Sequence, residues 1–302
     1  MLIYETTIEE STLKESSTLV TDSFPFRTAN CDAYDYPCGS FPWHWHEEIE
    51  VLYMIEGKLL IRIPEYQLTI SEGDVIFLPS NILHSSAVVD GFAGIHKEFI
   101  FSPSFIGGSY NSLIMQKYVL PLAHPDVSYI LVKKDSPNSP RLQELLTNIY
   151  SYALNEPAGY EIKIHNLLET AWIIFMDEAK NQTDRQPFNF TGRERLFEML
   201  DFIRGHYCEE ITLNDIASSA GVSTRECNRC FKTGMQTTTM EYLLEYRINK
   251  ACEMLMDPAM SISEIGQSCG FSSASYFTKR FREKCGLTPK EYRQKKYPSR
   301  PA

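Results

Sequence analysis

Four residues have types and spacing that could hold chemistry: His44, His46, Glu50 and, farther along, His84. The first three fall in "FPWHWHEEIE". On a regular strand His44, His46 and Glu50 share one face, because side chains alternate with a period of two. Three inward groups joined by His84 make a nitrogen and oxygen set that suits a divalent metal. The same groups suit hydrogen bonding to a small polar ligand, with Arg62 adding a cation and Trp43 or Trp45 a ring that stacks on a sugar. Either tryptophan can instead pack the outside of a sheet against helices. The expectation is a ligand pocket made by Trp43, His44, Trp45, His46, Glu50, Arg62 and His84. It includes no cofactor, no catalytic residue and no bound metal, and His44, His46, Glu50 and His84 stand as the competing metal set.

A second group is arranged for contact with nucleic acid. Ser261 and Glu264 form a capping box, and Ile262, Ile265 and Cys269 follow at helical spacing. Gly270 can end that helix and Ser273 can cap the next. In the next helix Phe277 and Phe281 lie one turn apart on a buried side, opposite Ala274, Ser275, Thr278 and Lys279. This is the layout of a helix-turn-helix whose second helix enters a DNA groove. "TLNDIASSAGVSTRECNRCF", residues 212–231, repeats it: Thr212 with Asp215, Gly221, Ser223, then Cys227 and Phe231 buried. Its outer face is Thr224, Arg225, Asn228 and Arg229. Arginine bonds guanine and asparagine bonds adenine in bidentate fashion, so both outer faces are expected to read bases in the major groove. Between the copies, residues 238–257 predict a helix of about 19 residues, roughly 28 Å long, near the ~34 Å repeat of the duplex.

The remaining elements must position these groups. From about Cys31 to Ser102 the pattern has period two and predicts short antiparallel strands, with reversals at Glu56-Gly57 and near Pro64-Glu65. Arg141 to Leu154 and Tyr160 to Lys180 have helical spacing, and residues 181–192 read as a linker. The net charge of −10 is uneven: residues 193–302 hold 17 Lys+Arg against 14 Asp+Glu, and residues 1–192 hold 12 against 25. Lys279, Arg280, Arg282, Lys284 and Lys290 supply local positive charge for phosphates. No stretch is long and apolar enough to span a membrane, and no signal peptide opens the chain, so a cytoplasmic location is expected. The eight cysteines then read as mostly reduced and buried, the Cys227/Cys230 pair included.

Residues 193–296, above all "ISEIGQSCGFSSASYFTKRFREKCGLTPKEYR", resemble the DNA-binding domain of the AraC/XylS family of bacterial transcription regulators. The first repeat departs from the family after Phe231, with Gln236 where Gly is usual and Thr238-Thr239 where Ser-Pro is usual. Gly39, His44, His46, Glu50 and Gly57 are similar to the first metal-cupin motif. Gly73, Pro79 and His84 are similar to the second, with Asn81 and Val88 at variant positions. The resemblance implies an α+β two-domain chain. Residues 1–180 would be a cupin-like antiparallel β-barrel with flanking helices, binding an effector and dimerising. Residues 181–192 would link it to an all-α domain, 193–302, with two helix-turn-helix units. The implied function is a sequence-specific regulator, not an enzyme, controlled by a small effector, a carbohydrate first. Its implied partners are double-stranded DNA, a second copy of the chain and, for an activator, RNA polymerase, with no membrane. The alternative is a cupin oxygenase or isomerase fused to a DNA-binding domain. The pairing surface is expected on the helical segment from Ile164 to Phe175.

Overall fold

The computed structural model describes residues 6–9, 12–17, 23–124, 127–182 and 193–296. Its strands are β1 (Thr6–Ile8), β2 (Glu15–Ser17), β3 (Phe26–Asp32), β4 (Ser40–His44), β5 (Ile49–Ile63), β6 (Tyr66–Ser71), β7 (Val75–Leu78), β8 (His84–Val88), β9 (Gly94–Phe101) and β10 (Ile130–Val132). Where the sequence pattern suggests a hairpin at Glu56-Gly57, β5 runs straight through as one strand of 15 residues. The register against β9 shifts between Met54 and Glu56, which is a β-bulge. Gly57 lies at φ 84, and a Cβ on it would sit 1.9 Å from the Ala93 carbonyl oxygen. The glycine is needed for close approach of another backbone, not for a turn. The chain reverses at Pro64-Glu65 instead, as the turn residues predict, with Glu65 at φ 66.

The bulge also decides which side chains face which way. Ahead of it, Leu52 and Met54 join one core cluster; beyond it, Leu59, Ile61 and Ile63 complete that cluster. One extra residue has moved the alternation from even to odd positions. β5 pairs antiparallel with β9 and β7 along its first half and with β6 and β8 along its second. β3 pairs with β9, and β10 with β7. The expected antiparallel sheet is present; among the described residues its pairings follow an open path and do not close a ring.

Helices α1 (Pro103–Gly107), α2 (Leu120–Ala123), α3 (Ser139–Asn155) and α4 (Tyr160–Asn181) cover this sheet. α3 and α4 match the two expected helical segments. Ile164, Leu168, Ala171, Trp172 and Phe175 of α4 pack with Val51, Phe77 and Phe101 of the sheet. The Phe175 and Phe77 rings lie 5.1 Å apart, and the Trp172 indole N–H donates to the Tyr118 carbonyl at 3.1 Å. Burying Ile164, Leu168 and Phe175 contributes about 1.5–3 kcal/mol each. The stripe expected to pair two chains is therefore consumed in its own core, and that expectation is corrected.

The second set of helices is α5 (Arg193–His206), α6 (Leu213–Ser219), α7 (Thr224–Met235), α8 (Thr239–Met254), α9 (Ile262–Ser268), α10 (Ala274–Cys285) and α11 (Pro289–Lys296). Capping boxes open α6 (Thr212 with Asp215), α8 (Thr238 with Glu241) and α9 (Ser261 with Glu264), and Ser223 and Ser273 cap α7 and α10. Each such cap is worth about 1 kcal/mol. α8 stops at Met254 after 16 residues, shorter than expected. Cys227, Cys230 and Phe231 are fully buried in the first repeat, as are Cys269, Phe277 and Phe281 in the second. Among the described residues no helix is long and apolar enough to cross a membrane.

The chain divides into two units. The first comprises Met1–Glu9, Leu13–Ala33 and Pro42–Asn189; the second comprises Glu10–Thr12, Tyr34–Phe41 and Phe190–Ala302. The second unit thus takes in Tyr34–Phe41, a segment the sequence reading placed in the sensor. Of the expected linker, residues 183–192 lie outside the described residues. Cys38 and Cys285 are joined as a disulfide, which corrects the expectation of reduced thiols at these two positions.

Gln236 ends α7 in the left-handed conformation, φ 51, where Gly286 ends α10 at φ 70. A side chain in that region costs roughly 1–2 kcal/mol, and glycine escapes most of it. Gln236→Gly is expected to stabilise the helical unit by about 1 kcal/mol. Thermal unfolding of wild type and variant checks this, and a lower midpoint for the variant would contradict it.

Candidate functional sites: two outward helix faces and a buried histidine cluster

The cap, turn and cap sequence of each repeat leaves one side of α7 and α10 facing solvent. On α7, Thr224, Arg225 and Arg229 are exposed. Arg225 makes no ion pair among the described residues. Arg229 is held by Glu226 through two contacts, Nε to Oε2 at 2.8 Å and Nη2 to Oε1 at 2.6 Å. Asn228 is half-buried, and its carboxamide oxygen accepts from the Thr239 N–H (3.3 Å) and hydroxyl (3.0 Å). That carboxamide secures the start of α8, so the bidentate adenine geometry expected of it requires breaking those bonds. On α10, Ala274, Ser275, Thr278, Lys279 and Arg282 line one concave surface with Thr288. Lys279 and Arg282 are exposed and make no ion pair among the described residues. Small residues at the start of the helix permit close approach, and the two cations follow on the same side.

In the sheet unit, His44, His46, Glu50 and His84 come together: one ligand atom from each lies within 4.8 Å of the others, and all four residues are buried. Each histidine is oriented by its own backbone. Nδ1 donates to the Pro42 carbonyl from His44 (2.9 Å), to that of Glu48 from His46 (3.1 Å) and to that of Ile82 from His84 (2.9 Å). A proton on Nδ1 leaves the lone pair of a neutral ring on Nε2. Those nitrogens face carboxylates: His46 and His84 reach the same Glu50 oxygen at 3.2 and 2.7 Å, and His44 reaches Glu15 at 3.2 Å.

Burial, with His84 and His46 alongside, holds His44 well below the usual imidazole range. Burial also works against a charged His46, but the hydrogen bond and field of Glu50 outweigh it and raise that group. Glu50 is buried too, yet His84 and His46 bring its carboxyl well below the ordinary value.

Of the other expected pocket residues, the structure separates three from this cluster. The bulge puts Arg62 on the face opposite Leu59, Ile61 and Ile63, half-buried. Trp43 is buried at a β4 position that alternates with His44. Trp45 packs under the Lys14 ammonium at 5.5 Å.

In their place stand residues that the sequence reading missed. The Arg27 guanidinium bonds Glu15 at 3.0 Å and Glu98 at 3.2 Å, and His96 is buried nearby in β9. The sequence signal was one charge, Arg27, in "FPFRTANC" and the polar run His96-Lys97-Glu98 inside "GIHKEFIF".

Burial pushes the Glu98 carboxyl up to about 7 against the pull of Arg27, although 16 % of its side-chain surface stays exposed. Its folded value is above its unfolded one, so the stability it contributes is full below about pH 4.5 and is lost as pH rises through about 7. Glu98→Gln mimics the protonated form. The melting-point difference, variant minus wild type, is expected to become more positive between about pH 5 and about pH 8. A constant difference would contradict this.

Residues 216–295 match the family model described as Helix-turn-helix domain, and residues 36–90 match Cupin domain. The Bacillus subtilis (strain 168) protein called uncharacterized HTH-type transcriptional regulator YdeC is 28% identical over 257 residues, covering 85% of this chain and 87% of its own length. The melibiose operon regulatory protein of Escherichia coli (strain K12) is 25% identical over 265 residues, 83% of each. A solved AraC-type transcriptional regulator from Chromobacterium violaceum is 33% identical, with a TM-score of 0.34, covering 38% of this chain and 100% of that one. The protein is a DNA-binding regulator that joins a cupin domain to tandem helix-turn-helix units. It belongs to the AraC/XylS family of transcription regulators.

Proposed function

We propose that DNA binding by this regulator is sequence-specific and is controlled by a small polar effector held in the buried interior of the first unit, a carbohydrate first. The observation that carries this is the interior itself, where Glu15, Arg27, His44, His46, Glu50, His84 and His96 are all buried. A sheet packed only for stability has no use for so many desolvated polar groups. A relative named for a melibiose operon supports a sugar as the first class to try. In this reading the chain catalyses nothing and works in the cytoplasm. It pairs with a second copy through a surface other than the α4 stripe, and meets RNA polymerase where the outcome is activation. The test is a thermal-shift screen of mono- and disaccharides on the full chain, followed by DNA affinity with each hit. A carbohydrate that raises the midpoint and changes DNA affinity in wild type, but not in His84→Ala, is the expected result. No response to any carbohydrate would overturn the sugar class.

A second reading is favoured by the histidine geometry. Three Nε2 lone pairs and the Glu50 carboxylate converge, with each ring's other nitrogen anchored on a carbonyl, and such anchoring is the usual support of metal-bound imidazole. Glu15 and Glu98 hold the Arg27 guanidinium, which leaves Glu50 as the carboxylate aimed at the imidazoles. The residues fit a divalent transition metal held by His44, His46, His84 and Glu50. Such an ion would offer an electrophilic anchor for an effector oxygen. His44 would give up its contact with Glu15 to join it.

A further inference from the structure

We propose that Cys38, Cys252 and Cys285 form a thiol–disulfide exchange site that sets the state of the second recognition helix. Cys285 is the last residue of α10, and Cys252 lies in α8, 1% exposed. Cys38 occupies a short turn, Pro37–Gly39, within the Tyr34–Phe41 segment of the same unit. Its sulfur is bonded to Cys285 and lies 3.4 Å from the Cys252 sulfur, and all three sulfurs lie within 4.8 Å of one another.

Packing alone is a poor account of Cys38. It sits at φ 52, ψ 24, a left-handed conformation that a side chain rarely adopts and that tends to mark functional positions. The cysteines serving as core here look different: Cys227, Cys230 and Cys269 are fully buried, and burial pushes their thiols up, Cys269 to about 12. Cys38 and Cys285 are only half-buried, so a small oxidant can reach them.

The chemistry balances with a peroxide as oxidant. The Cys38 thiolate attacks one peroxide oxygen, the O–O bond breaks, and Cys38 becomes a sulfenic acid. The Cys285 thiolate then displaces hydroxide from that sulfur and the disulfide forms. In sum, two thiols and one peroxide give one disulfide and two waters. Exchange needs no further oxidant: the Cys252 thiolate attacks the Cys38 sulfur, and the electron pair of the broken S–S bond leaves with Cys285. Cys38 is thus the hub of two alternative disulfides. One ties the end of α10 and the other releases it. Tying the helix that carries Lys279 and Arg282 restricts how it settles in a groove, so the Cys38–Cys285 form is the weaker binder.

The test uses the full chain, reduced with dithiothreitol and then treated with hydrogen peroxide. The probe is a duplex selected from a random library by the reduced protein. Differential alkylation with peptide mass spectrometry is expected to find both Cys38–Cys285 and Cys38–Cys252. Oxidation is expected to weaken binding about fivefold, reversibly with dithiothreitol, within the range of ordinary coupling. Cys38→Ser and, independently, Cys285→Ser should lose this response, and Cys252→Ser should yield the Cys38–Cys285 pair alone. Any of three results would overturn the proposal: no crosslink at Cys38, unchanged affinity on oxidation, or near-stoichiometric zinc shielding the three thiols.

Discussion

Gly270→Val is expected to unfold the second helix-turn-helix and abolish DNA binding. Gly270 lies at φ 74 between α9 and α10, and a Cβ there would sit 2.3 Å from the Tyr207 carbonyl oxygen. The left-handed backbone alone costs a β-branched residue roughly 1–2 kcal/mol or more. The clash adds to this because Tyr207 is not free to move: Arg247 donates to its carbonyl and to that of Glu209, both at 2.7 Å. Displacing that backbone strands a half-buried guanidinium. Together these effects should cost about 3–5 kcal/mol, the range reached only by strain or buried-network mutations. Gly221→Ala makes the comparison, since Gly221 has φ 62 with nothing within 4 Å of its Cβ position. It should pay the backbone term only and keep most of its DNA binding. Denaturant melts of the two variants decide the matter, and equal destabilisation would contradict the role given to Tyr207.

Glu50→Ala is expected to lower metal affinity at the histidine cluster by at least about 100-fold, because it removes the sole anionic member of the set and not a mere supporting group. Wild-type protein loaded with a divalent transition metal such as Mn²⁺ or Ni²⁺ should retain about one ion per chain after desalting, and Glu50→Ala close to none. Glu50→Gln separates charge from packing: it keeps the volume beside His46 and His84 and should lose the ion all the same. Retention by Glu50→Gln at the wild-type level, or no retention by wild type, would sink the metal reading. The buried cluster would then act as a set of hydrogen-bonding groups alone.

The helical unit was legible because its signals are local. A capping box spans four residues, and a turn glycine sits beside the helix it ends. The caps at Thr212, Ser223, Ser261 and Ser273 could therefore be read without knowing the fold, while the box of Thr238 with Glu241 was missed. The sheet was less legible because its decisive contacts are distant. Gly57 answers to Ala93 and not to its own neighbours, so a bulge passed for a hairpin, and the parity of Arg62 was misjudged with it. The histidines and Glu50 were legible as a motif, but Glu15, Arg27 and Glu98 form a network only when β2, β3 and β9 are adjacent. Asn228 was read as outward from helical spacing; Thr239, 11 residues on, draws its oxygen inward. The Cys38–Cys285 pair spans 247 residues and carries no spacing signal at all.

The central claim is that one chain reads bases with two outward helix faces, Arg225 on α7 and Lys279 on α10. The most direct measurement is selection of bound duplexes from a random library by wild type, Arg225→Ala and Lys279→Ala, with base preference scored position by position. Each variant is predicted to relax preference at its own position, by about 1–3 kcal/mol for Arg225, and the two positions should lie about 10–10.5 base pairs apart. A uniform loss of affinity across all sequences in both variants would make these residues phosphate contacts and contradict the account.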